Sequence, residues 1–352
     1  MPDRVRPERL HAFAVDAGGF AGLPKSTVDL FADSLVEADL RGIDTHGVVR
    51  IPAYVEGYRR GYLNPRAELR EVRAKGAVRV YDGDNGLGGI VGQQAMDLAV
   101  DLAAEHGVGY VAVRNSNHAG MLAHHVLRAV DRGMVGYFVS NGPPVMAGWG
   151  GRDPLISNNP MAYGFPAGQY PPVVLDMACS AIARGKLRQA AQNDTPIPEG
   201  WATDEEGRPT TDPHAGMRGL VLPMAGHKGY GLAVVNELLS AVLPGALLSA
   251  EVSSAFLVEG AEALDSWRVG HLAVALDIEA FLDRHDYLRR TDELIGRCKA
   301  SRPAPGLPEV LVPGEPEWRH REERLREGVP LSETTRALLD RAAAGWGIEV
   351  LT

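Results

Sequence analysis

From about residue 77 the chain alternates short β-rich runs with stretches of helical periodicity, and this alternation restricts the possible folds more than any other feature. The runs are Ala77–Tyr81, Tyr110–Arg114, Val135–Ser140, Met161–Phe165, Val173–Leu175 and His271–Asp277. Helical stretches fall near residues 90–105, 119–132, 180–192, 229–242 and 278–298. Strands alternating with helices argue for an α/β core. The chain before this region reads as helices. Ser26–Asp29 has a capping-box pattern, a hydroxyl at the cap and an acceptor three residues on. Val28, Phe31, Leu35 and Ala38 follow it at helical spacing. A second helix is expected from Asp44 or Thr45 to about Arg60, ended by Gly61 and Pro65. Near the other end, prolines 303, 305, 308, 313 and 316 mark a linker or an extended return strand around Glu309–Val312. A last helix, Glu333–Ala344, follows a cap at Ser332. If the terminal helices pack together, residues 1–72 and 300–352 form one helical domain and residues 73–299 the α/β core.

Charge and cysteine content exclude several functions. Lys plus Arg is 36 and Asp plus Glu 45, a net charge of −9. Such a chain repels nucleic acid and anionic membranes. The apolar stretch Gly229–Ala250 is broken by Asn236, Glu237 and Pro244, so it reads as a buried helix and not a membrane span. The mixed charges of Glu317–Glu327 read as a solvated helix face. Two cysteines, Cys179 and Cys298, cannot make a disulfide framework. With no apolar signal core near the first residue, a cytoplasmic protein is expected.

Several familiar motifs are missing. There is no P-loop, no HExxH and no metal-spaced cysteine pair. Gly83–Gly92, GDNGLGGIVG, lacks clean G-x-G-x-x-G spacing and reads as a glycine turn before a helix. A His118/His125 pair has no accompanying carboxylate or thiol, so no metal is expected.

Four constellations could carry chemistry. In a helix begun near Asp44, His46, Arg50 and Tyr54 share one face and suit a small carboxylate, which Arg grips with paired hydrogen bonds. The bland alternative is a capped surface helix. Asn115-Ser116-Asn117-His118 lies where a strand turns into a helix, a place where active-site residues gather. A histidine there can trade protons near pH 7, or simply cap the helix. Gly226–Gly231 opens a helix, and its amides with Lys228 favour an anion such as a nucleotide phosphate. A flexible loop is the alternative. Asp176, before Met177 and Ala178, suits a ribose hydroxyl or a helix cap. Cys179 has no activating partner in sequence and reads as a small buried residue.

Together these motifs resemble the malate/L-lactate dehydrogenase family that is distinct from the Rossmann-type lactate dehydrogenases. That family includes sulfolactate and ureidoglycolate dehydrogenases, 2,3-diketogulonate reductase and the Δ1-piperideine-2-carboxylate/Δ1-pyrroline-2-carboxylate reductases. The matching segments run in order along nearly the whole chain: DTHGVVRIPAYVEGY, VRNSNHAG, NNPMAYGFP, VLDMACSAIARGK, IPEGWATDEEGRPTTDP, GHKGYGLAVVNELLSAVLPGA and PAPGLPEVLVPGE. The resemblance implies an L-sulfolactate dehydrogenase-like α/β fold with a non-classical nicotinamide site, a helical domain, and a homodimer with the site near the subunit interface. It casts His118 or His46 as the acid/base, Arg50 as the carboxylate ligand and Tyr54 as its neighbour. It places Asp176, Met177, Ala178, Lys228, Gly229, Gly314 and Glu315 on NAD or NADP. Two departures concern the substrate pocket: Asn158-Asn159-Pro160 replaces the expected Thr-Asn-Pro, and the Asn141–Asp153 loop matches no named member. Asn159 is therefore a candidate pocket residue.

The implied reaction is reversible hydride transfer between the nicotinamide and the α-carbon of a small 2-hydroxy or 2-oxo acid. A cyclic-imine reductase, and a catalytically silent nucleotide-binding scaffold, are the alternatives. Of the two histidines, His118 is expected to move the proton. His46 sits near a helix start, where the positive dipole end disfavours imidazolium, and is assigned to hydrogen-bonding the substrate.

Overall fold

The computed structural model describes residues 4–253 and 267–351. Helices α1 (Pro7–Phe20) and α2 (Lys25–Leu40) pack side by side. The inward face of α2 carries Val28, Phe31 and Leu35 at helical spacing. It starts one residue before the expected cap. Pro24 stands at the N-cap with no side-chain bond, and the Thr27 hydroxyl turns back to the Pro24 carbonyl at 3.3 Å. A hydroxyl inside the first turn finds a carbonyl more readily than a free amide.

The expected continuous helix from Asp44 to Arg60 is broken. Two single 3₁₀ turns, Asp44–His46 and Val48–Arg50, meet at Gly47 and are followed by α3 (Ile51–Arg59). His46, Arg50 and Tyr54 therefore do not share one helix face. One apolar core joins both chain ends: Phe13, Phe31, Ile51 and Leu63 pack with Val329, Leu339, Ala343 and Leu351. Phe31 is fully buried, and truncating such a ring to Ala costs about 3–5 kcal/mol.

Among the described residues the main sheet has seven strands: β1 (Arg70–Lys75), β2 (Val78–Asp82), β3 (Val108–Ser116), β4 (Val135–Ser140), β5 (Met161–Phe165), β6 (Val173–Met177) and β7 (Val269–Leu276). Their order is β1-β2-β3-β7-β4-β5-β6. Only β2 and β3 run parallel; the other neighbours are antiparallel. The fold is thus mixed α/β, as the alternation argues. β1 is not legible beforehand because its residues, REVRAK, are all exposed on a charged sheet edge. β7, at the centre, is buried almost throughout and reads as a continuous apolar run.

Helices α4 (Gly88–His106) and α5 (Leu122–Asp131) cover one face of the sheet. Next come α6 (Arg184–Gln192), α7 (Pro213–Arg218) and α8 (His227–Glu237), the last continued by a π-helical turn, Leu238–Val242. The expected buried helix is only half so. Ala233, Asn236, Ser240 and Ala241 face inward, whereas Val235, Leu238, Val242 and Leu243 are at least half exposed, 50–63%. Among the described residues no helix is long and apolar enough to cross a membrane.

The chain ends in α9 (Arg284–Ala300), α10 (Glu315–Glu327) and α11 (Glu333–Trp346). The Ser332 hydroxyl caps α11, accepting from Thr335 N at 3.1 Å. Glu309–Val312 forms no strand, but Pro313 beside it accepts the Val174 amide of β6 at 3.1 Å. α10 is not simply a solvated face. Arg321 reaches Glu37 of α2 at 2.8 Å, and Arg324, only 12% exposed, pairs with Asp44.

Candidate active site

Strand β3 ends at Ser116, and the next residues are held from several directions. The buried Asn117 amide donates to Asn85 Oδ1 at 2.9 Å and to the Gly86 carbonyl at 3.2 Å, and its Oδ1 accepts the Trp267 amide at 3.0 Å. The glycine-rich turn does follow a strand, β2, and open a helix, α4. Its helix start, however, is closed by this segment. Gly89 N donates to the His118 carbonyl at 3.1 Å, and a Cβ at Gly88 would lie 2.2 Å from the Asn117 carbonyl. No phosphate can enter there. The turn grips the backbone of His118, a role that no fingerprint spacing reveals.

His118 does not cap the helix that follows it, since α5 starts later, at Leu122. Its Nδ1 lies 2.6 Å from the Tyr54 hydroxyl. The His46 ring stacks on it at 5.5 Å, and Trp267 meets it edge-on at 5.6 Å. His46, Tyr54 and His118 therefore converge despite the broken helix. Tyr54, expected beside the substrate carboxylate, is buried with its hydroxyl on His118. Arg50 Nε donates to the Thr45 carbonyl at 2.7 Å, and its two terminal nitrogens bond no described residue. Burial, helped by the neighbouring His46 ring and the Arg50 charge, holds His118 well below the usual histidine range. Burial, with Arg50 adding to it, lowers His46 to about 4. Both rings are neutral near pH 7.

One neighbour escapes a reading of the sequence alone. His271, buried in β7, bonds Ser116 Oγ at 2.8 Å through Nε2 and Ser140 Oγ at 2.9 Å through Nδ1. It clamps β3, β7 and β4 together at the end that carries His118. The only signal was a histidine heading an apolar strand beside two serines. His125, by contrast, belongs to the core: it packs on Phe138 at 4.4 Å and its Nε2 faces the Ala119 carbonyl. Among the described residues no group of three His, Cys, Asp or Glu could hold a metal.

The segments expected at a nucleotide meet along the edge strand β6. Asp176 accepts the Ala123 amide at 2.7 Å, so it caps α5 and not the helix that follows it in sequence. This bond ties the end of β6 to a point five residues beyond His118. Met177 and Ala178 lead to Cys179, whose carbonyl accepts the Met224 amide at 2.9 Å and so brings up the loop before α8. Lys228 and Gly229 follow in the first turn of α8. Lys228 is exposed and makes no ion pair with any described residue. Gly314, at φ +87°, lies against Val174 of β6, where glycine alone fits easily. The Glu315 carboxylate is committed to protein: Lys299 Nζ at 2.7 Å and the Val312 amide at 3.2 Å.

Asn159 sits in this second group. It is buried at φ +32°, its amide donating to the Ala233 carbonyl at 2.8 Å and Glu237 at 2.7 Å. Its Oδ1 has no partner among the described residues. Cys179 is buried, its Sγ donates to the Asn159 carbonyl, and burial raises the thiol to about 11, so it is inert.

The described residues thus gather two neutral histidines and Tyr54 next to the Arg50 fork, and set an exposed lysine in the first turn of α8. Comparison with known proteins gives the family. Residues 5–340 match the malate/L-lactate dehydrogenase family, and the chain belongs to it. It is 38% identical over 320 residues to an L-sulfolactate dehydrogenase of Methanocaldococcus jannaschii, covering 91% of each chain. It is 38% identical over 294 residues to a (2R)-3-sulfolactate dehydrogenase (NADP(+)) of Chromohalobacter salexigens, covering 84% of this chain and 86% of that one. A solved sulfolactate dehydrogenase from Methanocaldococcus jannaschii superimposes with a TM-score of 0.90 at 36% identity, covering 99% of this chain and 98% of that one.

Proposed function

We propose that the protein is an NAD- or NADP-dependent dehydrogenase that moves hydride to and from the α-carbon of a small 2-hydroxy or 2-oxo carboxylate. The observation that carries this reading is the Tyr54–His118 contact beside the open Arg50 fork. Arg50 holds the substrate carboxylate through two parallel hydrogen bonds. His118 Nε2 bonds no described residue and is the nitrogen that exchanges a proton with the substrate oxygen. The Tyr54 hydroxyl can accept from Nδ1–H, which leaves Nε2 bare to take the alcohol proton in oxidation. The imidazolium so formed keeps its Nδ1 proton on Tyr54 and returns the Nε2 proton to the substrate oxygen in reduction. His46, whose Nδ1 faces Thr45 Oγ1 at 2.9 Å, orients the same substrate oxygen.

The residues along β6 fit a nicotinamide dinucleotide. The unpaired Lys228 at a helix start suits a phosphate, and the orphaned Asn159 Oδ1 suits an amide donor. Asp176, Met177, Ala178, Lys228, Gly229 and Gly314 would hold the cofactor, with Glu315 fixing the turn that carries Gly314. When bound, it supplies the hydride. A cyclic 2-imino acid would need the same carboxylate grip and the same proton. A silent scaffold would need a damaged site, yet the histidines, Arg50 and Lys228 are in place.

The exposed apolar residues Val235, Leu238, Val242 and Leu243 support a homodimer. We take the protein as cytoplasmic, and assign residues 1–72 and 300–352 to a helical domain and 73–299 to the α/β domain. Titration with NADH and NADPH, followed by a panel of 2-oxo acids and cyclic 2-imino acids, tests the reading. Saturable nucleotide binding with turnover of a 2-oxo acid is expected. Absence of nucleotide binding would overturn it.

A further inference from the structure

The break in the Asp44–Arg59 segment has an identifiable cause. In a continuous α-helix the Val48 amide would bond the carbonyl four residues back. Here it donates instead to Asp39 Oδ2 at 2.8 Å. Asp39 lies at the end of α2 and is 2% exposed. Its carboxyl occupies the space that a side chain at position 47 would need: a Cβ on Gly47 would fall 1.9–2.4 Å from Oδ1, Cγ and Oδ2. Gly47 has ordinary extended backbone, φ −86° and ψ −152°. The glycine is therefore required by the Asp39 carboxyl and not by its own torsions. From the opposite side, Arg324 of α10 donates to the Asp39 carbonyl and to the Asp44 carboxylate. The elbow bearing His46 and Arg50 is held between two helices.

We propose that Asp39 is a positioning residue of the substrate site, whose carboxyl takes the Val48 amide, packs on Gly47 and thereby sets the His46 ring and the Arg50 fork beside His118. What Arg50 binds rests on the function proposed above; the clamp itself does not. Burial pushes the Asp39 carboxyl up to about 8, with Asp44 acting the same way and the Val48 amide and Arg324 opposing. Glu37, on the same helix, is engaged with Arg41 and Arg321. At pH 7 Asp39 is thus a neutral acceptor, which asparagine can copy and alanine cannot. Above about pH 8 it ionises, and a buried charge under the elbow favours opening to water.

The test compares Asp39→Asn and Asp39→Ala in the full chain by amide hydrogen exchange over residues 46–50, NAD(P)H titration and steady-state kinetics with a 2-oxo acid. Asp39→Ala should speed exchange at Val48 and raise KM by at least about tenfold, the scale set by an orphaned buried donor. Nucleotide affinity should stay within about twofold. Asp39→Asn should match the wild type at pH 7 and keep its KM up to pH 9, where the wild type loses affinity. The proposal is overturned if Asp39→Asn is as impaired as Asp39→Ala at pH 7, or if Asp39→Ala leaves both exchange and KM unchanged. Should Asp39→Ala fail to fold, the pH comparison decides: an equal rise of KM in Asp39→Asn refutes the clamp. Fast exchange in Asp39→Ala, with a wild type that turns over no 2-oxo acid, would refute the proposed function and leave the clamp standing.

Discussion

Replacing Tyr54 with Phe removes a single oxygen from an enclosed site. The phenol oxygen lies 2.6 Å from His118 Nδ1, and burial pushes its pKa to about 12, so it is a neutral partner throughout the working range. Without it, Nδ1 is left unpaired, which costs about 1–3 kcal/mol. At about 1.4 kcal/mol per tenfold, turnover should fall roughly 5- to 150-fold if that cost appears when His118 exchanges its proton. The ring itself is kept. It meets Phe31 edge-on at 6.3 Å, so packing is kept and any loss of stability should stay within the same roughly 1–3 kcal/mol of the unpaired nitrogen. The assay is single-turnover reduction of a 2-oxo acid at saturating substrate, with nucleotide affinity measured separately. A kcat within about twofold of wild type would refute the positioning role. A rise in KM with kcat unchanged would return Tyr54 to direct contact with the substrate.

Other consequences can be measured in parallel. Arg50→Lys conserves charge but not the fork, so kcat/KM should drop at least about a hundredfold with nucleotide affinity spared; near-normal kinetics would make Arg50 structural. Lys228→Ala should weaken nucleotide binding by only about 1 kcal/mol, roughly fivefold, because the ammonium is exposed. Unchanged fluorescence titrations would remove Lys228 from the cofactor site. Burial holds His118, His124, His125 and His271 below the unfolded value near 6.5, so the unfolded chain takes up more protons as pH falls. Stability from these groups is present above pH 6.5 and lost between there and about pH 3. Asp39 and Asp176, raised to about 8 and 6, act in the opposite sense, but the histidines outnumber them. Tm should therefore fall from pH 7 to pH 5; a rise would contradict the burial of these rings.

The helices and central strands were legible because burial imposes periodicity on sequence. Val135–Ser140 and Met161–Phe165 appear as read. Where polar contacts override local preference, the sequence misleads. A charged edge strand, Arg70–Lys75, carries no alternation. The helix expected from Asp44 gives way because Asp39, on another helix, takes an amide that the helix would have used. Asp176 caps a helix 53 residues away in sequence. His271 and its serines were invisible because a strand-borne histidine looks the same whether it is clamped or idle. The glycine- and lysine-bearing helix start at Gly226–Gly231, by contrast, was legible in the sequence and appears as α8 from His227.

We propose that His118, and not His46, moves the proton. Single-turnover kinetics of His118→Ala and His46→Ala, each saturated with nucleotide and substrate, separate the two roles. His118→Ala should slow the step at least about a hundredfold, the usual loss of a general acid, with nucleotide affinity intact. His46→Ala should mainly weaken substrate binding. A fast His118→Ala variant beside a slow His46→Ala variant would contradict it.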